Sequence, residues 1–219
     1  MTDKSSLILL LKKHLSNIDW DIKSITDVQY SQLIDFVLLI DKWNKTYNLT
    51  SIKNVEDMLV KHIVDSIVIS PFLNGENFID VGTGPGLPGI PLAILNPNKK
   101  FLLLDSLSKR INFIKAVKRT LHLDNIEPIL SRCEEFTPNS ELVLDGVLSR
   151  AFASLTDMIN LCNHMIPENG KFLALKGHVI EDELASVPKE YQIEDIIKLN
   201  VPNSLGQRHL IIINNKGLM

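Results

Sequence analysis

Between Asn77 and Pro91 the chain carries a combination that few folds accommodate: an apolar run (Phe78, Ile79), a carboxylate (Asp80), glycines at alternate positions (Gly82, Gly84, Gly86), and then an apolar helical pattern. Such a stretch predicts a strand, a tight loop and a helix. Glycine lets the backbone approach a ligand where a Cβ would collide. Phe101 to Asp105 repeats the apolar run with a terminal carboxylate, at a separation that suits the next strand of a βαβ unit. From Asn74 onward short apolar runs alternate with amphipathic stretches, which argues for a parallel α/β sheet.

Gly84 to Gly89 formally matches the G-x-G-x-x-G fingerprint of a pyrophosphate cradle. Its chemistry points elsewhere. A pyrophosphate needs free N–H groups at a helix N-terminus, and Pro85 and Pro88 each remove one. Asp80 would repel an anion in the same place. A cationic ligand fits better, and S-adenosylmethionine carries both an ammonium and a sulfonium. Asp105 is placed to accept hydrogen bonds from ribose hydroxyls, a role compatible with any adenosine nucleoside. The loop makes the choice.

The 219 residues suffice for one core with an appendage. Residues 1–73 read as a helical N-terminal extension and 74–219 as the catalytic α/β domain. A net charge of −3 and a pI near 6.1 leave nucleic-acid binding to a local basic patch. The sequence shows no apolar run of membrane-spanning length and no secretory start, so no membrane partner is expected. Cys133 and Cys162 lack metal spacing; a reducing, cytoplasmic setting and no metal are expected.

In the extension, Leu7, Leu11 and Leu15 recur at helical spacing, Thr26 with Gln29 forms a capping box, and Leu33, Phe36, Val37 and Ile40 continue an apolar face. Asn54 caps a third helix that runs toward Pro71. His14 and His62 read as packing histidines. Lys42 to Thr50 interleaves bases, aromatics and amides; it suits either nucleotide stacking or a helix end that covers the core. Lys115, Lys118 and Arg119 share a helical arc, a solvated face or an RNA contact. Farther along, Asn125 to Leu130, Leu142 to Ser149 and Lys171 to Lys176 read as strands. Tyr191 to Val201 and Gln207 to Ile213 read as a closing hairpin through Pro202 to Gly206, with an antiparallel final strand. Cys133 and Glu134 follow the third strand, at the ligand edge, and Arg150 ends the fourth, where open α/β sheets do chemistry. Cys133 has no sequence neighbour that would make it a nucleophile.

Trp43, Asn44, Tyr47 to Thr50, His62, Asp65, Ser66, Asp80 to Pro91, Leu104 to Ser106, Lys109, Arg110, Ser149 to Ala151, Leu175 to Gly177, Arg208 and His209 together resemble the glucose-inhibited division protein B family, bacterial 16S ribosomal RNA guanine-N7 methyltransferases. The resemblance spans nearly the whole chain. It implies a class I S-adenosylmethionine-dependent methyltransferase (Rossmann-like) seven-stranded sheet with an N-terminal helical extension. It also implies cofactor contacts at Gly82, Leu87, Cys133, Glu134 and Arg150, although the family more often has a small apolar residue where Cys133 stands. Asp80, Gly84 and Asp105 join the cofactor set from the loop chemistry above. Arg150, Lys176 and Arg208 are the expected catalytic residues: Arg150 near cofactor and base, Lys176 and Arg208 toward guanine O6 or a phosphate. Lys109 and Arg110 are expected on the RNA backbone. The partner implied is 16S ribosomal RNA or the small ribosomal subunit, met by a monomer. A small-molecule methyltransferase and a non-catalytic ribosome-assembly factor stay open as alternatives; a NAD-dependent oxidoreductase is disfavoured by the two prolines.

Overall fold

The computed structural model describes residues 3–16, 18, 25–139, 141–150, 152, 154–202 and 206–215. Helix α1 (Lys4–Leu15) buries Leu7, Leu11 and Leu15 against α2 (Asp27–Tyr47), which buries Leu33, Phe36, Val37 and Ile40. The capping box forms as expected: Gln29 N–H donates to Thr26 Oγ1 (3.2 Å) and Thr26 N–H to Gln29 Oε1 (2.9 Å). Asn54 Oδ1 caps α3 (Val55–Met58) through the N–H groups of Glu56 and Asp57. The helix expected to continue toward Pro71 instead passes through a π-helical turn (Leu59–Val64) before α4 (Asp65–Ile67). Such turns frequently lie at functional sites.

Seven strands make one sheet: β1 (Asn77–Val81), β2 (Lys100–Asp105), β3 (Ile126–Leu130), β4 (Gly146–Ser149), β5 (Lys171–Lys176), β6 (Tyr191–Lys198) and β7 (His209–Asn215). The order is β3-β2-β1-β4-β5-β7-β6, parallel through β5, with β7 antiparallel to both its neighbours. The connection order reverses between β1 and β4, so the ligand crevice of an open sheet opens there, at the carboxyl ends of the strands. Strand β4 begins four residues later than its apolar run suggests. Asp145 Oδ2 accepts the N–H groups of Glu76 (2.8 Å) and Asn77 (2.9 Å), in addition to the backbone bond from Asp145 N–H to the Asn77 carbonyl (2.8 Å), so a side chain shares the pairing at that end. Of the connection expected over Pro202 to Gly206, residues 203–205 lie outside the described residues.

Strand residues alternate between two cores. Phe101 and Leu103 face the extension together with α5 (Gly89–Leu95) and α6 (Ser108–Leu121), while Leu102 and Leu104 face α7 (Leu155–Cys162). Phe36 and Phe113 meet with ring centroids 6.3 Å apart, so α2 and α6 share one core across the extension. Trp43 packs edge-on to Phe113 at 5.5 Å and against Tyr47 at 5.2 Å. That geometry selects the core-covering reading of Trp43. Lys118 Nζ donates to the Ile126 carbonyl at 2.6 Å, so this member of the basic arc ties α6 to β3.

A Cβ on Gly89 would collide with Leu103 Cδ2 and come within 2.9 Å of Asp80 Oδ2. Gly89→Ala is therefore expected to cost about 1–3 kcal/mol through overpacking. Urea denaturation checks this, and a midpoint equal to wild type would refute the close approach.

Candidate active site

The loop after β1 is built around Asp80, which is fully buried. Its Oδ2 accepts Thr83 Oγ1–H at 2.6 Å and Gly89 N–H at 2.8 Å. Leu87 N–H donates to Thr83 O (2.8 Å) and Ile90 N–H to Gly86 O (2.8 Å), closing the loop on itself. The consequence for anion binding is direct. At the start of α5, Gly89 N–H is spent on Asp80, Ile90 N–H on Gly86, and Pro91 has none. The prolines exclude a pyrophosphate, as the sequence suggests, and Asp80 completes the exclusion by taking the remaining donor.

Asp105, at the end of β2, is also buried and is held by three donors: Gly84 N–H to Oδ2 (3.0 Å), Leu107 N–H to Oδ1 (2.9 Å) and Arg110 Nη1 to Oδ2 (3.0 Å). It lines a cavity together with Gly82, Arg110, Cys133, Glu134 and Phe152. Gly82 adopts φ +67°, and a Cβ built there would meet no atom within 4 Å, so the backbone leaves a cradle above the strand end. Glu134 is exposed and its acidity is raised by hydrogen bonding to Cys133. Burial, and then the same bond, push the Cys133 thiol up, away from nucleophilic chemistry. Of the expected cofactor residues, Gly82, Asp105, Cys133 and Glu134 border this cavity. Asp80, Gly84 and Leu87 do not line it: Asp80 and Leu87 are buried, and Gly84 reaches it only through its N–H bond to Asp105. Arg110, expected on the RNA backbone, sits beside Asp105 in the cavity, and Lys109 Nζ donates to the Tyr47 carbonyl at 3.0 Å.

A second cavity adjoins the first across the end of β4: Ser149 borders one and Arg150 the other. Arg150, Lys176 and Arg208 all line the second, with His62 and Asp65 from the extension. The three expected catalytic residues are thus brought together, but apart from the nucleoside-like cradle where Arg150 was also expected. Asp65, buried, receives Arg208 Nε at 2.8 Å and Arg150 Nη1 at 3.3 Å. Lys176 Nζ pairs with Glu183 at 2.7 Å in a largely buried contact. His62 Nε2 lies 2.9 Å from Thr50 Oγ1, a satisfied histidine as expected, yet on a cavity wall. Glu183 and Phe152 escaped the sequence reading, and Asp65 entered it only through the family resemblance; the partners of Asp65 lie far along the chain, and that of Glu183 ends strand β5.

The sheet order with an antiparallel seventh strand, the glycine loop after β1 and the carboxylate ending β2 define the class I S-adenosylmethionine-dependent methyltransferase fold. Solved structures agree. TrmK of M. capricolum, in complex with S-adenosyl-homocysteine, superposes with a TM-score of 0.53 at 19% identity over 67% of this chain and 66% of that one. A SAM-dependent methyltransferase from Aquifex aeolicus superposes with a TM-score of 0.53 at 13% identity over 72% and 93%. The family model GidB, described as rRNA small subunit methyltransferase G, matches residues 29–211. Ribosomal RNA small subunit methyltransferase G of Glaesserella parasuis serovar 5 (strain SH0165) is 60% identical over 190 residues, 87% of this chain and 92% of that protein. The protein of that name in Escherichia coli (strain K12 / DH10B) is 57% identical over 190 residues, 87% and 91% respectively. The chain belongs to the rRNA small subunit methyltransferase G family. Among the described residues no helix is long and apolar enough to cross a membrane, and no group of three or more His, Cys, Asp or Glu side chains is arranged to hold a metal.

Two buried groups give the site a pH signature. Burial lifts the Asp80 carboxyl from 3.8 to about 7, against the hydrogen bonds of Thr83 and Gly89. Burial, helped by the charge of Arg150, lowers His62 from 6.5 to about 4. Folded Asp80 therefore keeps a proton that the unfolded chain releases. Its contribution to stability is full below about pH 4 and lost as pH rises through about 7. His62 runs the other way: its contribution is present above about 6.5 and lost as pH falls through about 4. Asp80→Asn should make stability climb more steeply with pH over that interval than in wild type. Urea titrations at successive pH values read this directly, and parallel profiles would contradict it.

Proposed function

We propose that this protein transfers a methyl group from S-adenosyl-L-methionine to N7 of a specific guanine in 16S ribosomal RNA of the small ribosomal subunit. One observation carries the reading: two cavities meet at the end of β4, one with the chemistry of a nucleoside site and the other walled by Arg150, Lys176 and Arg208. The Gly82 cradle, the Asp105 carboxylate and the donor-depleted start of α5 suit a cationic adenosyl ligand and not a phosphate. Bound there, the cofactor supplies an electrophilic methyl group on sulfur. Asp105 would hold its ribose, Phe152, Cys133 and Glu134 would border its base, and Asp80 would act through the loop it orders.

Guanine N7 offers an in-plane lone pair and carries no proton, so no side chain has to remove one before attack. The site matches that economy. His62 is neutral at physiological pH and engaged by Thr50, and the Cys133 thiol is not activated. What remains for the protein is orientation and electrostatics. Guanidinium and ammonium donors suit guanine O6, an acceptor beside N7, or a neighbouring phosphate, and leave the N7 lone pair free to attack. With Cys133 and Cys162 both free thiols, the reading places the protein in the reducing cytoplasm, acting as a monomer without a metal.

Incubation with labelled cofactor and unmodified small-subunit particles, followed by mass spectrometry of the RNA, is expected to locate one 7-methylguanosine. Label in metabolites alone would favour a small-molecule methyltransferase, and particle binding without transfer an assembly factor. Asp105→Ala should weaken cofactor affinity about ten- to hundredfold, since hydrogen bonds to a charged group are worth about 1.5–3 kcal/mol; calorimetry at wild-type affinity would reject the role. Arg150→Ala should slow turnover about a hundredfold with little change in that affinity.

A further inference from the structure

Three features of the second cavity have no place in the reading above. Asp65 is buried, it comes from the helical extension, and it divides its carboxylate between two arginines that reach it from 85 and 143 residues away. The π-helical turn just before it adds a second anchor, because the Lys61 carbonyl accepts Arg150 Nη1 at 3.3 Å. We propose that Asp65 is a positioning residue: its two oxygens set the guanidiniums of Arg150 and Arg208 on the wall of the second cavity, so that the extension helps to assemble the site. The inference rests on the reading that these arginines act on the RNA substrate.

The physical argument is one of charge and geometry. Two guanidiniums sharing one cavity wall repel each other, and both are largely withdrawn from water. A carboxylate bonded to both removes the repulsion and fixes their separation. Each guanidinium carries five N–H donors in a rigid plane, so holding one edge orients another toward a ligand. The triad of Asp65, Arg150 and Arg208 keeps one net positive charge, and Lys176 with Glu183 and Lys61 with Asp57 add none. A cavity with that balance favours an electron-rich acceptor, guanine O6 or a phosphate oxygen, without becoming a general polyanion trap. Attachment to α4 matters because α4 packs directly on α5, the helix that follows the glycine loop. The arginines are thereby referenced to the element that shapes the first cavity.

A purely structural role makes a different prediction, and Asp65→Glu separates the two. Glutamate keeps the charge and the ion pairs but moves the carboxylate by about one C–C bond, about 1.5 Å. A displacement of about 1 Å at a positioning group costs about a hundredfold in rate. With small-subunit particles as substrate, D65E is expected to lose at least about tenfold in kcat. Calorimetric affinity for S-adenosylmethionine should stay within about twofold and the urea midpoint near wild type, the pattern of a lost transition-state interaction. Asp65→Asn, which removes the charge, should lose more in kcat. Wild-type kcat in D65E overturns the proposal. So does a D65E that loses stability, cofactor affinity and turnover together, because that pattern assigns Asp65 to the fold alone. A wild-type protein that transfers no methyl to particles would instead sink the underlying function, and this inference with it; the wild-type control tells the two failures apart.

Discussion

A single carboxylate, that of Asp80, decides what the loop after β1 can bind. Its Oδ2 draws in the Thr83 hydroxyl and the Gly89 N–H, folding the glycine segment back over the strand end. It does so from full burial, where an ionised carboxylate is costly, and its proton affinity rises accordingly. The same bond uses up a donor that a phosphate would need at the start of α5. Selectivity against pyrophosphate and the shape of the cradle are therefore one interaction seen from two sides.

From that loop the rest of the site follows by direct attachment. Gly84, lifted by the loop, hands its N–H to Asp105, which also gathers Leu107 and Arg110. Two carboxylates ending adjacent parallel strands thus do different work. Asp80 is sealed inside and organises backbone, whereas Asp105 faces the cavity. Beyond the strand reversal between β1 and β4 the chemistry changes sign. The second cavity is lined by cations, each held by a carboxylate: Arg150 and Arg208 by Asp65, Lys176 by Glu183 and Lys61 by Asp57. A cation-lined pocket beside a cradle for a cationic donor is what transfer to an electron-rich base asks of a protein that need not remove a proton.

Local pattern was a good guide where a residue's environment is set by its near neighbours. The capping box at Thr26, the Asn54 cap, strands β2 and β5 and the burial of Cys162 all follow from spacing within a turn or two. It says less where a polar side chain selects its partner. Arg110 reaches back to Asp105, Lys118 is tied to the Ile126 carbonyl, and the Asp145 side chain takes the N–H groups of Glu76 and Asn77 at the entry to β4. In each case a polar side chain found a partner that hydrophobic periodicity does not encode.

The sequence by itself determined the strand–loop–helix unit, the carboxylates Asp80 and Asp105 and the cationic character of the ligand they suit, because these depend on alternation, glycine and proline within the one stretch from Asn77 to Asp105. Only the tertiary structure decided how Asp65, Arg150 and Arg208 meet. Strand β7 runs antiparallel, with His209 opposite Lys176, so the residue just before it arrives at the carboxyl edge of the parallel strands. Run the other way, the same strand would carry Arg208 to the opposite edge of the sheet. No spacing in the chain announces that choice, since it is made by which strand β7 pairs with and in which direction.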